Sequence, residues 1–129
     1  MKYTTQSSPG FTLLEIVIVV ALVGLLAAIA IPNMLKARAR SQANICISNL
    51  RKIQEAKQQW AFETRKPSDA VPLKSDLALY LSRSGSVDKI ACPADPTEQF
   101  DNSYNINPVT EPPSCKLNQA GAVSGHILE

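Results

Sequence analysis

The sequence predicts an α+β fold in which a long N-terminal α-helix packs against a small antiparallel β-sheet. An uncharged apolar run extends from Ile16 to Ile31, and an amphipathic segment follows it. Short extended segments, separated by loops rich in proline and aspartate, occupy the remainder. We expect a leader (residues 1–10), a hydrophobic helix (11–32), an amphipathic helix (33–66) and a small C-terminal α/β region (67–129).

The hydrophobic helix is long enough to cross a membrane. Residues 11–31 would span ~31 Å at about 1.5 Å per residue, which matches a hydrocarbon core about 30 Å thick. Pro32 is expected to end or kink the helix because it has no N–H to donate. A secretory signal peptide is an alternative to a membrane helix, since Ala28-Ile29-Ala30 has the form that signal peptidase prefers.

Glu15 is unusual because a charge at the edge of a membrane segment is costly unless it is paired. Cleavage after Gly10 would give Phe11 a free amine, and Phe11 and Glu15 stand four residues apart, on one face of a helix. The new ammonium could then neutralise Glu15 within one chain or from a neighbour. Alternatively, Glu15 snorkels into the lipid headgroups or carries a proton.

The N-terminal stretch MKYTTQSSPGFTLLEIVIVVALVGLLAAIAIP resembles the type IV pilin and type II secretion pseudopilin superfamily. The resemblance is dense over residues 9–32. It implies cleavage after Gly10 and N-methylation of Phe11 by a prepilin peptidase. It also implies that Glu15 pairs with the Phe11 amine of the adjacent subunit. Gly24 and Pro32 stand where the family has residues that soften the helix.

The resemblance places the protein in the bacterial inner membrane with its N-terminus in the cytoplasm and its C-terminal region outside. The positive-inside rule disagrees, since Lys36, Arg38 and Arg40 outnumber Lys2. Expected partners are further copies of the chain, the prepilin peptidase, the inner-membrane assembly platform and membrane lipid.

The amphipathic helix is predicted to run from Asn33 to about Thr64 and to stop before Lys66-Pro67, because the residue before proline disfavours the α region. Its apolar face is expected to comprise Ala43, Ile47, Leu50, Ile53, Ala56 and Trp60. Residues 35–62 also resemble the corresponding segment of G-type pseudopilin-like proteins. We expect Trp60 to be a core residue and not a ligand-binding one.

The C-terminal region is predicted to contain one short helix that starts at Ser75-Asp76, with Leu77, Tyr80 and Leu81 as its apolar face. Ser84-Gly85-Ser86 indicates a turn. The candidate strands are Ile90–Cys92, Ser103–Ile106 and Gly125–Leu128.

Three cysteines offer a cross-link for a domain near the lower size limit. We expect a disulfide between Cys92 and Cys115, which flank the hairpin candidate, with Cys46 left as a buried thiol. Closing that loop would stabilise the fold by roughly 3 kcal/mol and would indicate an extracytoplasmic setting. Three reduced, buried cysteines are the alternative.

No catalytic motif is present in the sequence, so we expect no enzymatic activity. His126 is the only histidine, and no metal ligand set or cofactor is expected. An acidic group formed by Asp95, Glu98 and Asp101 is a weak calcium alternative, because its spacing is not that of a known loop. The G-type pseudopilins have a calcium loop in this region, but its motif does not map onto this sequence.

Charge is distributed unevenly along the chain. Residues 33–66 hold eight basic and two acidic side chains, a net charge of +6, whereas residues 67–129 hold four basic and eight acidic ones, a net charge of −4. The two halves could attract each other between copies, or they are ordinary solvated surfaces. Nucleic-acid binding is not expected, because the basic residues lack interleaved aromatics.

The resemblance implies a structural subunit of a type II secretion pseudopilus that assembles through residues 11–31. The alternatives are a major or minor subunit of a type IV pilus, or a membrane-anchored extracytoplasmic binding domain that does not polymerise. Such filaments are driven by a separate ATPase, and this chain has no phosphate-binding glycine loop.

Overall fold

The computed structural model describes residues 10–82 and 87–128. Its elements, in chain order, are α1 (Leu13–Thr64), α2 (Lys74–Leu81), α3 (Phe100–Ser103), β1 (Tyr104–Asn105), β2 (Ser114–Cys115) and α4 (Lys116–Gln119). The chain divides into two compact units, one up to Ala37 and one from Arg38 onward. A long helix with a small antiparallel sheet is the α+β fold that the sequence predicts.

Helix α1 is capped at both ends by local hydrogen bonds. At its start, Thr12 Oγ1 accepts the backbone N–H of Glu15 at 3.2 Å, as an N-cap residue does. At its end, Arg65 adopts a left-handed φ of 51°, and the Lys66 N–H donates to the Ala61 carbonyl at 3.0 Å. This is a Schellman cap, and Pro67 after it prevents further helix.

Pro32 lies inside α1 and does not end it. Of the two expectations, an end or a kink, the end is wrong, because the ring removes one hydrogen bond of the ladder while the remaining bonds on both sides keep the helix continuous. The predicted end of the amphipathic helix at Thr64 agrees with the structure.

Apolar side chains cover the first unit, and nothing among the described residues buries them. The large apolar residues from Leu13 to Ile31 are 50–83% exposed. By length and composition, α1 is able to cross a membrane.

The core of the second unit forms where α1 meets the C-terminal region. Helix α1 contributes Cys46, Leu50, Ile53, Ala56 and Trp60 to it. The C-terminal region contributes Leu77, Val87, Cys92, Phe100, Tyr104 and Cys115. Four of the six residues predicted for the apolar face of the helix are buried, whereas Ala43 and Ile47 are half-buried. Trp60 is a core residue, as predicted.

The described sheet has two strands of two residues each. They pair antiparallel, with Tyr104 opposite Cys115 and Asn105 opposite Ser114. The predicted strand Ser103–Ile106 is therefore present in shortened form, and its partner Ser114–Cys115 was not predicted.

The two other predicted strands were wrong. Ile90 donates its N–H to Val87 in a turn at 2.9 Å, and the Ala91 carbonyl accepts a hydrogen bond from the Asn49 side chain at 3.1 Å. Gly125 has a φ of +78°, and the His126 N–H donates to Asn118 Oδ1 at 3.2 Å. In both segments the backbone groups bond to turns and side chains instead of a neighbouring strand.

Helix α2 begins one residue earlier than predicted, at Lys74. Asp76 does take part in capping, because its Oδ2 accepts the Leu73 N–H at 2.9 Å. Leu77 is buried, and Tyr80 and Leu81 are half-buried. The predicted turn at Ser84-Gly85-Ser86 lies outside the described residues.

Side chains of α1 also bind the C-terminal backbone directly. Gln42 donates to the Pro93 carbonyl at 3.3 Å. Lys57, which is fully buried, donates from Nζ to the carbonyls of Ile106 at 2.8 Å and Glu111 at 2.6 Å. These bonds satisfy loop carbonyls that the short sheet leaves without backbone partners.

Candidate functional sites

The N-terminal junction comprises Gly10, Phe11 and Glu15, all of which are exposed. Phe11 precedes the first turn of α1, and its side chain is 80% exposed. A side chain at Gly10 or Gly24 would meet no atom within 4 Å among the described residues. Packing within one chain therefore does not require either glycine.

The three carboxylates considered for calcium have separate surroundings. Asp95 is buried, and its two oxygens accept hydrogen bonds from the Thr97 N–H and hydroxyl and from the Ser103 hydroxyl, at 2.7–2.9 Å. Burial raises the pKa of Asp95, but these hydrogen bonds outweigh it and the net pKa is lowered. Asp101 pairs with Lys74 at 2.9 Å, and Glu98 is exposed.

A different group of potential metal ligands meets in the core of the second unit. The donor atoms of four buried residues all lie within 4.8 Å of one another, and we name this group the thiol–imidazole cluster: Cys46, Cys92, Cys115 and His126. Their exposed fractions are 0%, 0%, 1% and 3%. Cys92 Sγ and His126 Nδ1 are 3.3 Å apart.

The cluster is assembled from four segments of the chain. Cys46 lies on α1 and Cys115 on β2, while Cys92 and His126 lie in irregular segments. The Cys92 N–H donates to Ser103 Oγ at 2.9 Å, and Ser103 donates in turn to Asp95 at 2.7 Å. Asn118 Oδ1 accepts the His126 N–H. Both irregular segments are thus fixed by side-chain hydrogen bonds.

Burial controls the proton equilibria of the cluster. It raises the pKa of Cys46, and the nearby Cys115 raises it further. Burial likewise raises the pKa of Cys92 and lowers the pKa of His126. Without a cation, Cys46 and Cys92 are therefore neutral thiols and His126 is a neutral imidazole at pH 7.

The structure differs here from the predicted disulfide. Cys92 and Cys115 are close together, but both are free thiols, and Cys46 is free and lies beside them. From the sequence, Cys46 was predicted to be an unpaired buried thiol, and a metal site was not predicted because the chain has only one histidine. The signal that could have found the cluster is the count of three cysteines and one histidine, which together make a complete tetrahedral ligand set.

Residues 6–31 match the family model for the prokaryotic N-terminal methylation motif. A type IV major pilin protein of Myxococcus xanthus is 47% identical over 60 residues, which cover 46% of this chain and 27% of that protein. The chain carries a prokaryotic N-terminal methylation motif and is similar to type IV pilins. A fimbrial protein of Pseudomonas aeruginosa is 33% identical over 84 residues, covering 64% of this chain and 54% of the relative. A type IV wide pilus major component of Thermus thermophilus is 42% identical over 45 residues, covering 35% of this chain and 34% of that protein.

This pilin-like chain spans between about a quarter and about half of the length of these curated relatives. No solved structure matches it. The family motif covers Gly10, Phe11, Glu15 and Gly24, and it ends one residue before Pro32 and well before the thiol–imidazole cluster. The relatives are named as pilus or fimbrial proteins.

Proposed function

We propose that the chain is a structural subunit of a membrane-anchored, type IV pilus-like filament that assembles through residues 11–31. The observation that carries the proposal is the exposed apolar surface of α1 from Leu13 to Ile31, which lies within the residues that match the methylation motif. Such a surface is stable in lipid or against the same surface of other copies, and unstable in water.

Processing is proposed to remove residues 1–10 and to methylate the new amine of Phe11, through a prepilin peptidase at the inner membrane. The exposure of Gly10 and Phe11 supports this step, since a peptidase needs access to the bond. The open space around Gly10 also supports it. Because the fold of the chain has room for a side chain at this position, the requirement for glycine is proposed to come from a binding partner such as the peptidase.

Glu15 is proposed to pair with the Phe11 amine of a neighbouring copy in the filament. Its side chain is exposed in the single chain, and burial of an unpaired carboxylate among apolar helices would cost several kcal/mol. The Thr12 hydroxyl caps the helix at the Glu15 N–H, which keeps the carboxylate on the first turn of α1.

The type of filament is proposed from the relatives. All three relatives are named as pilus or fimbrial proteins, which favours a type IV pilus. The type II secretion pseudopilus is supported only by the resemblance of residues 35–62 to G-type proteins and by the short C-terminal region. Loss of surface fibres, as opposed to loss of a secreted enzyme, would separate the two after deletion of the gene.

The variant Glu15→Ala tests the assembly proposal. We expect it to insert into the membrane and lose its leader normally, while its recovery in sheared filaments falls at least about tenfold, the factor equivalent to about 1.4 kcal/mol. Mass spectrometry of the mature N-terminus, which should begin with N-methylated Phe11, checks the processing step in the same preparation.

Glu55→Ala is the matched control, because Glu55 is an exposed glutamate of the same helix outside the apolar run. It should assemble normally. Normal filament recovery with Glu15→Ala would support the rival function, a membrane-anchored binding domain that does not polymerise. A mature chain that starts at Ile31 would instead indicate processing by signal peptidase.

A further inference from the structure

We propose that the thiol–imidazole cluster is a structural Zn²⁺ site. The proposal concerns the second unit of the chain, and it holds whether or not the chain assembles into filaments. Nothing in the N-terminal motif bears on it.

The geometry of the cluster suits a metal ion. In a tetrahedral site with Zn–S distances of about 2.3 Å, neighbouring ligand atoms lie about 3.8 Å apart. All donor pairs of the cluster lie within 4.8 Å, and Cys92 Sγ and His126 Nδ1 are 3.3 Å apart. Only small side-chain adjustments separate this arrangement from a tetrahedron around one ion.

The ligand set selects zinc by its chemistry. Three thiolates and one imidazole form a Cys₃His set, which is typical of structural zinc sites. All four residues are buried, so no coordination position is open to water or to a substrate. Calcium and magnesium prefer oxygen ligands, and the cluster contains none.

Binding must be accompanied by proton release. The three cysteine side chains give up their thiol protons as three Zn–S bonds form, while the imidazole donates a nitrogen lone pair. The product has a net charge of −1, which the surrounding protein has to stabilise.

Hydrogen-bond donors to the thiolates are already in place. The Tyr104 hydroxyl donates to Cys46 and is itself oriented by Asn49 Nδ2 at 3.1 Å. The Ala94 N–H donates to Cys92. Donors of this kind stabilise metal-bound sulfur and fix the ligands, and their loss typically lowers metal affinity by about 10–100-fold.

The connectivity of the site explains what zinc would do for the fold. One ion would join α1, β2 and both irregular segments at a single point. The described sheet has only four residues, so it cannot itself hold these segments together. A small domain with so little regular structure usually depends on a disulfide or a metal.

The experiment uses the full chain, purified in detergent under a phosphine reductant and without a histidine tag. After exchange against one equivalent of zinc and removal of free metal, elemental analysis should find one zinc ion per chain. Titration with Co²⁺ should give the visible absorption of tetrahedral, thiolate-bound cobalt. Zinc should raise the midpoint of thermal unfolding of the second unit.

Variants test each ligand. Cys46→Ser, Cys92→Ser, Cys115→Ser and His126→Gln should each lower zinc affinity by more than the 10–100-fold expected for Tyr104→Phe. His126→Cys should retain one zinc, since Cys₄ is an equally good ligand set. A purely structural role for His126 would not predict that rescue.

Val87→Ala is the control for general loss of stability, because Val87 is a buried core residue outside the cluster. It should lower the unfolding midpoint and keep one zinc per chain.

Two results would overturn the proposal. One is a reduced, folded chain that takes up no zinc and shows no cobalt spectrum. The other is a chain isolated from the cell with a bond between two of the cysteines, seen as a loss of two mass units that is reversed by reductant. If no metal binds, the cluster is only a hydrogen-bonded group of thiols and an imidazole in the core. If two cysteines are oxidised, it is a disulfide site.

Discussion

Lys57 is a buried residue of the core face of α1 that the sequence pattern did not predict. Cys46, Leu50, Ile53, Lys57 and Trp60 are spaced by four, three, four and three residues, as on one helical face, and all are buried. The predicted face was chosen from apolar residues alone, so it included Ala43 and Ile47, which are only half-buried. Lys57 was not included in the predicted buried face, because lysine is almost never fully buried unless it is paired.

The buried ammonium of Lys57 gives the protein a specific pH dependence. Burial lowers the pKa of Lys57 from 10.5 to about 8, and the nearby Glu111 opposes this only in part. Below about pH 8 the lysine is charged in both the folded and unfolded states. Between about pH 8 and 10.5 the unfolded chain binds more protons than the folded one, so this residue adds stability as the pH rises.

Lys57→Met tests this directly. At pH 7 we expect a loss of about 1–3 kcal/mol in the free energy of unfolding, because the carbonyls of Ile106 and Glu111 lose their donor. The difference between the parent and the variant should widen from pH 8 to pH 10, measured by denaturant titration. Cysteine ionisation is common to both proteins and cancels. A difference that is constant or narrows over this range would contradict the assignment of the pKa.

At the scale of elements, helices were predicted better than strands. The 3.6-residue periodicity and the Lys66-Pro67 stop located the C-terminal end of α1 at Thr64, whereas strands of two residues are too short to show an alternating pattern. Ser114–Cys115 was missed because two prolines precede it. Its pairing with β1 depends on contacts far along the chain, which periodicity does not report.

Pro32 makes a local weak point in α1. It cannot donate to the Ala28 carbonyl, and an interior proline costs about 3 kcal/mol of helix stability. Pro32→Ala should therefore raise the free energy of local opening around residues 28–36 by about that amount. Hydrogen exchange of the full chain in detergent, read by mass spectrometry of peptides, measures the change.

Peptides from residues 46–60 provide the internal reference for Pro32→Ala and should exchange at an unchanged rate. Equal protection of residues 28–36 in the two proteins would show that the proline causes no local weakness.

At the scale of the whole molecule, the division at Ala37 separates two kinds of surface. The first unit exposes its apolar side chains, while the second buries its own core. From composition, the sequence predicts a boundary between the hydrophobic and the amphipathic segment after Pro32. It did not predict the thiol–imidazole cluster, because four residues separated by 46, 23 and 11 positions come together only through the tertiary fold.

A chain of residues 38–129 should be a soluble monomer without detergent. It retains the core face of α1 and every residue of the cluster. Size-exclusion chromatography should give a monomer, and the fluorescence of Trp60, the only tryptophan, should show one cooperative unfolding transition. A chain of residues 54–129 lacks Cys46, Leu50 and Ile53 and should not fold, which makes it the matched control. Aggregation of both chains alike would show that the second unit depends on the first.

The shortness of the elements beyond α1 has a consequence for spectroscopy. Helix α1 has 52 residues, whereas α2, α3 and α4 have eight, four and four. A far-ultraviolet circular dichroism spectrum of the full chain is consequently dominated by α1 and reports little about the half of the molecule that follows Thr64. A variant whose C-terminal half had lost its packing would still look native in that spectrum. The edge-to-face pair of Phe100 and Tyr104, 5.7 Å between ring centres, makes the near-ultraviolet region the appropriate measure of whether this half is folded.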